Sequence, residues 1–436
     1  MQANQETANA LERRIDMSVT LTDIDKDVDV RLRKLSRTVK MPGFRPGKVP
    51  LNIVARTYEP QLRSEAIEAA VGKAFEEVVR AQNLRVAGHP RIEAKQAVTE
   101  GTLEFSAVFE VYPEIVVGDL SGREIERPML EVSEAEVDKT LEVLRSQRVG
   151  FEEADRAVAS GDRATVDFTG RKDGVPFEGG QAQDFPFVLG AGSMLEGFDA
   201  NVMGLKVGES KTFDLTFPAD YHPKMAGQTV QFEVAVKKVE APVLPEIDSD
   251  FAKALGVTNG DVAKLREEVR NNLVREVKQR IQAKIKDQVM DALLAVTPVE
   301  APKTLVQGES ERLLENARHE LEARGMAAQN ALLKPEMFTD RAVRRVKLGL
   351  IVNELVKNNE LRATPEQIRA LIQDMAETYE DPSELVRWYY AQPERLAGAE
   401  AVVTEDNVVE WVCSKAKTSD KPVSFDELMG NDAAAA

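Results

Sequence analysis

Cysteine is nearly absent from this 436-residue chain: Cys413 stands alone, so no internal disulfide can form. It lies in a helical pattern with Val408, Val409 and Val412, which suits a small packed residue better than a nucleophile. Histidine is scarce too. His89, His222 and His319 are scattered, with no Cys or His at metal-ligand spacing, so no structural metal is expected. No apolar run approaches the ~20 residues that span a bilayer. The first twenty residues have no apolar stretch of the kind a signal peptide needs. No membrane partner and a cytoplasmic location are therefore expected.

What is present describes a globular protein, with 43% hydrophobic and 30% charged residues. The length exceeds one core and implies roughly two to four domains. A net charge of −17 argues against nucleic-acid binding over the whole surface. One stretch runs against that average. Arg31, Arg33, Lys34, Arg37, Lys40, Arg45 and Lys48 follow one another with no acidic residue between them. A basic island on an acidic protein points to one confined anionic contact.

Residues 11–21 alternate, with Leu11, Ile15, Met17, Val19 and Leu21 on one side, which predicts a half-buried strand. Ile24, Val28, Leu32, Leu35 and Val39 then follow helical spacing over about 23–38. Met-Pro-Gly-Phe-Arg-Pro-Gly-Lys-Val-Pro (41–50) must break that helix. A second helix is expected over about 60–82, then strands near 91–98 and 102–112. Residues 1–112 thus read as one α+β unit. Residues 113–149 read as a linker, with Pro113, Pro128 and a helix at 133–149 opened by Ser133 and Glu136 at capping-box spacing.

From 160 the period returns to two. Asp173-Gly174 is a hairpin signal, strands are expected at 210–217 and 228–239, and Leu189–Phe198 opens a short helix with Ser193 and Glu196 at capping spacing. Residues 150–242 therefore predict a small curved antiparallel sheet wrapped on one helix. Residues 243–436 read as all-helical, with helices near 258–296, 302–324, 335–358, 364–378 and 404–417. The first would be about 58 Å long at ~1.5 Å per residue, which suggests arms and an elongated, multidomain α+β molecule.

Aromatic residues gather in the small sheet: Phe168, Phe177, Phe185, Phe187, Phe198, Tyr221 and Phe232. Each alone suits a core; together they suggest an aromatic-lined cleft. Gly190, Gly192 and Gly197 do not match the dinucleotide fingerprint, and no βαβ unit precedes them. In the helical part, Met326, Leu332, Leu333, Met337, Phe338, Trp388, Tyr389 and Tyr390 are either core or adaptable binding surface.

The stretches Val-Asp-Phe-Thr-Gly (166–170), Phe-Glu-Gly (177–179), Phe-Val-Leu-Gly (187–190), Met-Leu-Glu-Gly-Phe (194–198) and Phe-Pro-Ala-Asp-Tyr (217–221) resemble the FKBP family of peptidyl-prolyl isomerases. The resemblance implies a proline pocket lined by Phe168, Phe177, Glu178, Phe185, Met194, Leu195, Phe198, Tyr221 and Phe232. Phe198 stands where many members have Trp, and Phe168 where many have Tyr, so one pocket hydrogen bond is put in question. Gly-Phe-Arg-Pro-Gly-Lys-Val-Pro (43–50) is similar to the ribosome-docking signature of the trigger factor family. Pro46 replaces a residue that is usually basic there.

The order of docking unit, FKBP-like barrel and helical region ending in Val-Ser-Phe-Asp-Glu-Leu-Met (423–429) resembles that family along nearly the whole chain. It implies a ribosome-associated chaperone that holds nascent or unfolded polypeptides and isomerises prolyl bonds. Gly43, Phe44, Arg45, Gly47 and Lys48 would dock at the peptide exit tunnel, on ribosomal protein and rRNA. A weak homodimer off the ribosome is implied too. Neither holding nor isomerising needs a nucleotide or metal, so no cofactor is expected. The alternatives are a free isomerase whose flanking domains only recruit substrate, and a scaffold with a silent barrel.

Overall fold

The alternation that opens the chain forms strand β1 (Glu12–Thr20), with Met17 and Val19 buried. The computed structural model describes residues 10–430, apart from 43, 45–47, 96–100, 173, 193, 196, 219–225, 326–332, 378, 380 and the side chain of Glu178. Helix α1 (Leu21–Ser36) buries Ile24, Val28 and Leu32, one stripe at spacings of four. Strands β2 (Val86–Ala94) and β3 (Thr102–Val111) complete an antiparallel sheet of order β1-β3-β2. Helix α2 (Leu51–Ala81) packs against α1 and the sheet, with Phe75 meeting Phe109 edge-on at 5.1 Å.

Among these elements, two starts differ most from expectation. Helix α2 begins at Leu51, about nine residues before the predicted start, and carries Pro60 in its interior. An interior proline removes one backbone hydrogen bond. Val54, fully buried on the turn before it, and Ala66, on the turns after it, give the helix a core face on both sides of the break. Strand β2 begins five residues early, because Val86 and Ala87 pair with β3 ahead of a register shift that absorbs Gly88 and Pro90. Those two residues look like a turn in sequence and act as a bulge in the sheet.

The chain divides into two compact units, residues 1–127 with 283–421, and residues 128–282 with 422–436. In the first, the second half of α6 (Val262–Val296) packs with α8 (Thr339–Asn359) and α11 (Pro393–Lys415), through Val289, Leu293, Ile351, Leu355, Val408 and Val412. Leu120 and Ile125 enter this same core, and β4 (Glu124–Met129) pairs with β10 (Lys417–Pro422). The start of the expected linker is thus a packed strap. Helices α7 (Lys303–Ala323), α9 (Pro365–Ala376) and α10 (Pro382–Tyr390) also belong to this unit. Buried Glu110 on β3 accepts the Thr304 N–H at 2.7 Å and its hydroxyl at 2.8 Å, capping the start of α7.

The second unit holds two cores. One joins α3 (Glu134–Ser146), α5 (Ser249–Ala254) and the first half of α6 through Val137, Leu141, Phe251, Leu265 and Val269. Arg266 binds Glu134 and Asp138 across that joint. The Glu136 carboxylate accepts the Ser133 N–H at 2.9 Å, as the capping-box spacing requires. The C-terminal α12 (Phe425–Met429) is capped by the Ser424 hydroxyl, which accepts from Glu427.

The other core is the barrel. Strands β5 (Gly150–Glu153), β6 (Arg163–Lys172), β7 (Val175–Val188), β8 (Ser210–Thr216) and β9 (Thr229–Val243) form one antiparallel sheet, ordered β5-β9-β6-β7 with β8 also on β9. Helix α4 (Phe198–Val202) lies against it. It starts at the end of the stretch expected to open it, directly after Gly197, whose φ of +85° is left-handed backbone that glycine adopts without strain. The capping pair Ser193 and Glu196 lies outside the described residues. Lys172 faces Val175 across a two-residue turn through Gly174, at φ +80°.

On β9, buried Glu240 takes a bidentate bond from Arg163, both contacts 2.8 Å, and a third from Lys238 at 3.1 Å. The Arg163 and Lys238 bonds hold its carboxyl at about 2, well below the ordinary 4.5. A depressed folded-state pKa stabilises the fold above the unfolded value and stops doing so as pH falls through the folded one. An acid titration of Glu240→Gln followed by circular dichroism is expected to show less loss of stability between about pH 4.5 and 2 than the parent. Parallel curves in that window would remove Glu240 from the account of acid sensitivity.

Candidate functional site

Strand alternation and one short helix bring the barrel aromatics together. Phe198, at the first position of α4, is fully buried and meets Phe187, Phe213, Phe232 and Phe168 edge-on, with centroids 5.6, 5.6, 5.7 and 6.0 Å away. Phe232 is buried beside it. Phe168 is half-buried above this floor and meets Phe185 at 5.7 Å and Phe232 at 6.1 Å. Phe185, 37% exposed, is the outermost ring of the group. Phe177 closes another side against Phe217 and Phe232. Met194 and Leu195, both half-buried, pack on the same core.

Seven of the nine predicted pocket residues are therefore joined in one cluster. Tyr221 and the side chain of Glu178 lie outside the described residues. The loop carrying Met194 and Leu195 is tied at both ends: Leu189 N–H reaches the Asp162 carbonyl at 2.9 Å, and the Asp199 carboxylate accepts Gly190 N–H at 2.8 Å. Most of these ring pairs meet edge to face, and Phe213 and Phe232 stack at 30°, both arrangements that aromatic quadrupoles favour. What these rings and the Met194 and Leu195 side chains offer is apolar solvation and shape.

The basic stretch has a different character. Phe44 is 39% exposed, large for a phenylalanine with no task, and Lys48 is exposed. Gly43, Arg45 and Gly47 lie outside the described residues. On α1 the charges split into two sets. Lys26 pairs with Asp23, Arg31 pairs with Asp27 and Glu65, and Arg63 of α2 pairs with Asp25. Beyond them Arg33, Lys34, Arg37 and Lys40 are exposed and have no ion-pair partner among the described residues. Arg31 thus drops out of the predicted basic island, and the remaining cations extend toward Phe44.

Three family models match in the same order along the chain: "Bacterial trigger factor protein (TF)" over residues 1–144, "FKBP-type peptidyl-prolyl cis-trans isomerase" over 154–237, and "Bacterial trigger factor protein (TF) C-terminus" over 261–414. Trigger factor from Azoarcus sp. (strain BH72) is 67% identical over 99% of this chain and 100% of its own length. That of Aromatoleum aromaticum is 65% identical over the same shares. The chain belongs to the trigger factor family. A solved trigger factor chaperone superposes over 94% of this chain and 99% of its own, at 16% identity and a TM-score of 0.45, too slight a likeness to bear on the arrangement of parts.

Like other trigger factors, this chain is a ribosome-binding chaperone that acts on nascent polypeptides, and its FKBP-type domain is a peptidyl-prolyl isomerase. Within that trigger factor barrel, sequence reasoning passed over the residues that make room. A methyl on Gly170 would lie 2.7 Å from the Phe177 ring and 2.8 Å from that of Phe232. One on Gly180 would lie 2.5 Å from Phe177. Glycine inside a strand marks such a close approach, so the signal was present in Thr-Gly-Arg and Glu-Gly-Gly. Phe213, on β8, and Phe217, just beyond it, also belong to the cluster.

Proposed function

We propose that the barrel cleft binds prolyl segments between Phe168, Phe177, Phe185, Met194, Leu195, Phe198, Tyr221 and Phe232, with Glu178 orienting backbone groups near its mouth. The meeting of the Phe168, Phe198 and Phe232 rings beneath that mouth carries this reading. Rotation about a prolyl bond faces a barrier of ~18–20 kcal/mol, because twisting sacrifices amide resonance. The twisted amide has a less polar carbonyl than the planar one. An apolar cleft stabilises it relative to water, which favours the planar form. No nucleophile or acid is required.

The loop of Gly43, Phe44, Arg45, Gly47 and Lys48 docks beside the peptide exit tunnel, where the ring meets ribosomal protein and the cations meet rRNA phosphate. An exposed phenylalanine, close in sequence to cations that have no ion-pair partner among the described residues, on a chain of net charge −17, supports this. The division is a docking part (1–112), a connecting part (113–149), the isomerase (150–242) and a helical part (243–436) that cradles clients. The protein works in the cytoplasm and pairs weakly with a second copy off the ribosome.

The test is co-sedimentation with ribosomes across a salt series. The Phe44→Ala, Arg45→Ala, Lys48→Ala triple variant is expected to bind at least about tenfold more weakly. Its log–log salt dependence should be shallower by about one to two units, one for each lost phosphate contact. Unchanged binding would refute the docking assignment.

A further inference from the structure

Strands β6 and β7 slip register where the cleft is built. Val166 faces Phe185, but Phe168, two residues on, faces Ala182, three residues back. Strand β7 therefore carries one extra residue between them, a bulge, and bulges near sites re-aim side chains. Asp184 occupies it with φ +51°, in the left-handed region that few residues other than glycine enter. The parity of β7 changes at this residue. Without the bulge, Ala182 and Phe185, an odd number of positions apart, would point to opposite faces.

Three charged residues, one from each of three strands, hold the bulge. The Asp184 N–H donates to the Asp167 carboxylate on β6 at 2.8 Å. Lys237 on β9 reaches that carboxylate at 3.0 Å and the Asp184 carboxylate at 2.8 Å. The Asp184 N–H and the Lys237 amine hold the Asp167 carboxyl below its usual range, and the Asp184 and Asp167 carboxylates hold the Lys237 amine above its own. The side chains are 33%, 71% and 43% exposed, so the cluster contributes little to global stability. A local conformational role is what such a cluster can have.

We propose that Asp167, Lys237 and Asp184 form a positioning clamp that fixes the bulge and so aims the Phe185 ring across Phe168 at the mouth of the cleft. This rests on the reading of Phe185 as a pocket residue. None of the three carries chemistry; they act through Phe185. A preset ring spares the substrate the ordering of a loose rim, so the clamp is felt in substrate capture, as KM, with the bond rotation itself little changed.

The full chain would be assayed for isomerisation of a proline-containing peptide, with thermal melting alongside. Lys237→Met and Asp167→Asn are each expected to lower kcat/KM about three- to tenfold through KM, with the melting temperature nearly unchanged. Lys237→Arg should restore at least half of the loss. Phe185→Leu should lower kcat/KM similarly, and adding Lys237→Met to it should cost nothing further, since both changes remove one interaction. If Phe185→Leu reduces kcat/KM and Lys237→Met does not, or if the two losses add, the clamp is overturned and the pocket stands. If Phe185→Leu is itself silent, the pocket assignment of Phe185 fails and the clamp with it.

Discussion

Replacing Phe198 with alanine is expected to destabilise the barrel by about 3–5 kcal/mol and abolish isomerase turnover, while capture of unfolded chains persists. Phe198 has no exposed surface and touches four other rings. Its loss therefore combines the transfer of a full aromatic side chain with a cavity bounded by rigid rings that collapse poorly. Helix α4 has only five residues and buries Phe198 and Val202, so half of its anchorage disappears as well. Phe198→Leu separates the two effects: it keeps most of the packing and lacks the flat floor. Urea unfolding, peptide isomerisation and aggregation suppression on the full chain check the three parts. Unchanged turnover in the alanine variant would show that the floor of the pocket lies elsewhere. Loss of aggregation suppression together with turnover would favour a free isomerase over a chaperone.

The aromatic cluster was legible in sequence to the extent that it depends on residue type. Phe168, Phe177, Phe198 and Phe232 stand out because phenylalanine is costly to leave in water, and so many in a short span cannot all be ordinary core. What was not legible depends on geometry between strands. Gly170 and Gly180 matter only because the Phe177 ring folds back over them. The bulge at Asp184 cannot be seen in an alternation pattern, since an extra residue looks like a fault in the pattern until the partner strand is known.

Fold boundaries followed the same division. Helical stripes such as Ile24–Val28–Leu32 were plain, because one face alone supplies the period. The start of α2 was hidden by Pro60, a residue whose local preference is overruled by packing on both sides. Helix α10 and the early start of α11 escaped as well. Their prolines, Pro382 and Pro393, look like breakers in sequence but act at the first helical turn, where a missing N–H costs nothing.

The strap at 113–125 leads to the second large effect. Gly118→Val is expected to destabilise the unit containing α6, α8 and α11 by at least about 1–3 kcal/mol, with isomerase turnover intact. A methyl at Gly118 would overlap the carbonyl oxygen of Val296, the last residue of α6. That obstacle is backbone, so no rotamer change relieves it. Either the strap lifts, withdrawing Leu120 and Ile125 from the core they share with Leu293 and Ile351, or the end of α6 moves. The local sequence gives no hint of this, because the constraint is set by a helix end about 180 residues away in sequence. Two-probe unfolding, with Trp411 fluorescence reporting on this unit and isomerase activity on the barrel, would resolve it. Coincident loss of both signals would mean that the strap stabilises the whole chain as one cooperative body, and an unshifted transition would mean that it is a tether after all.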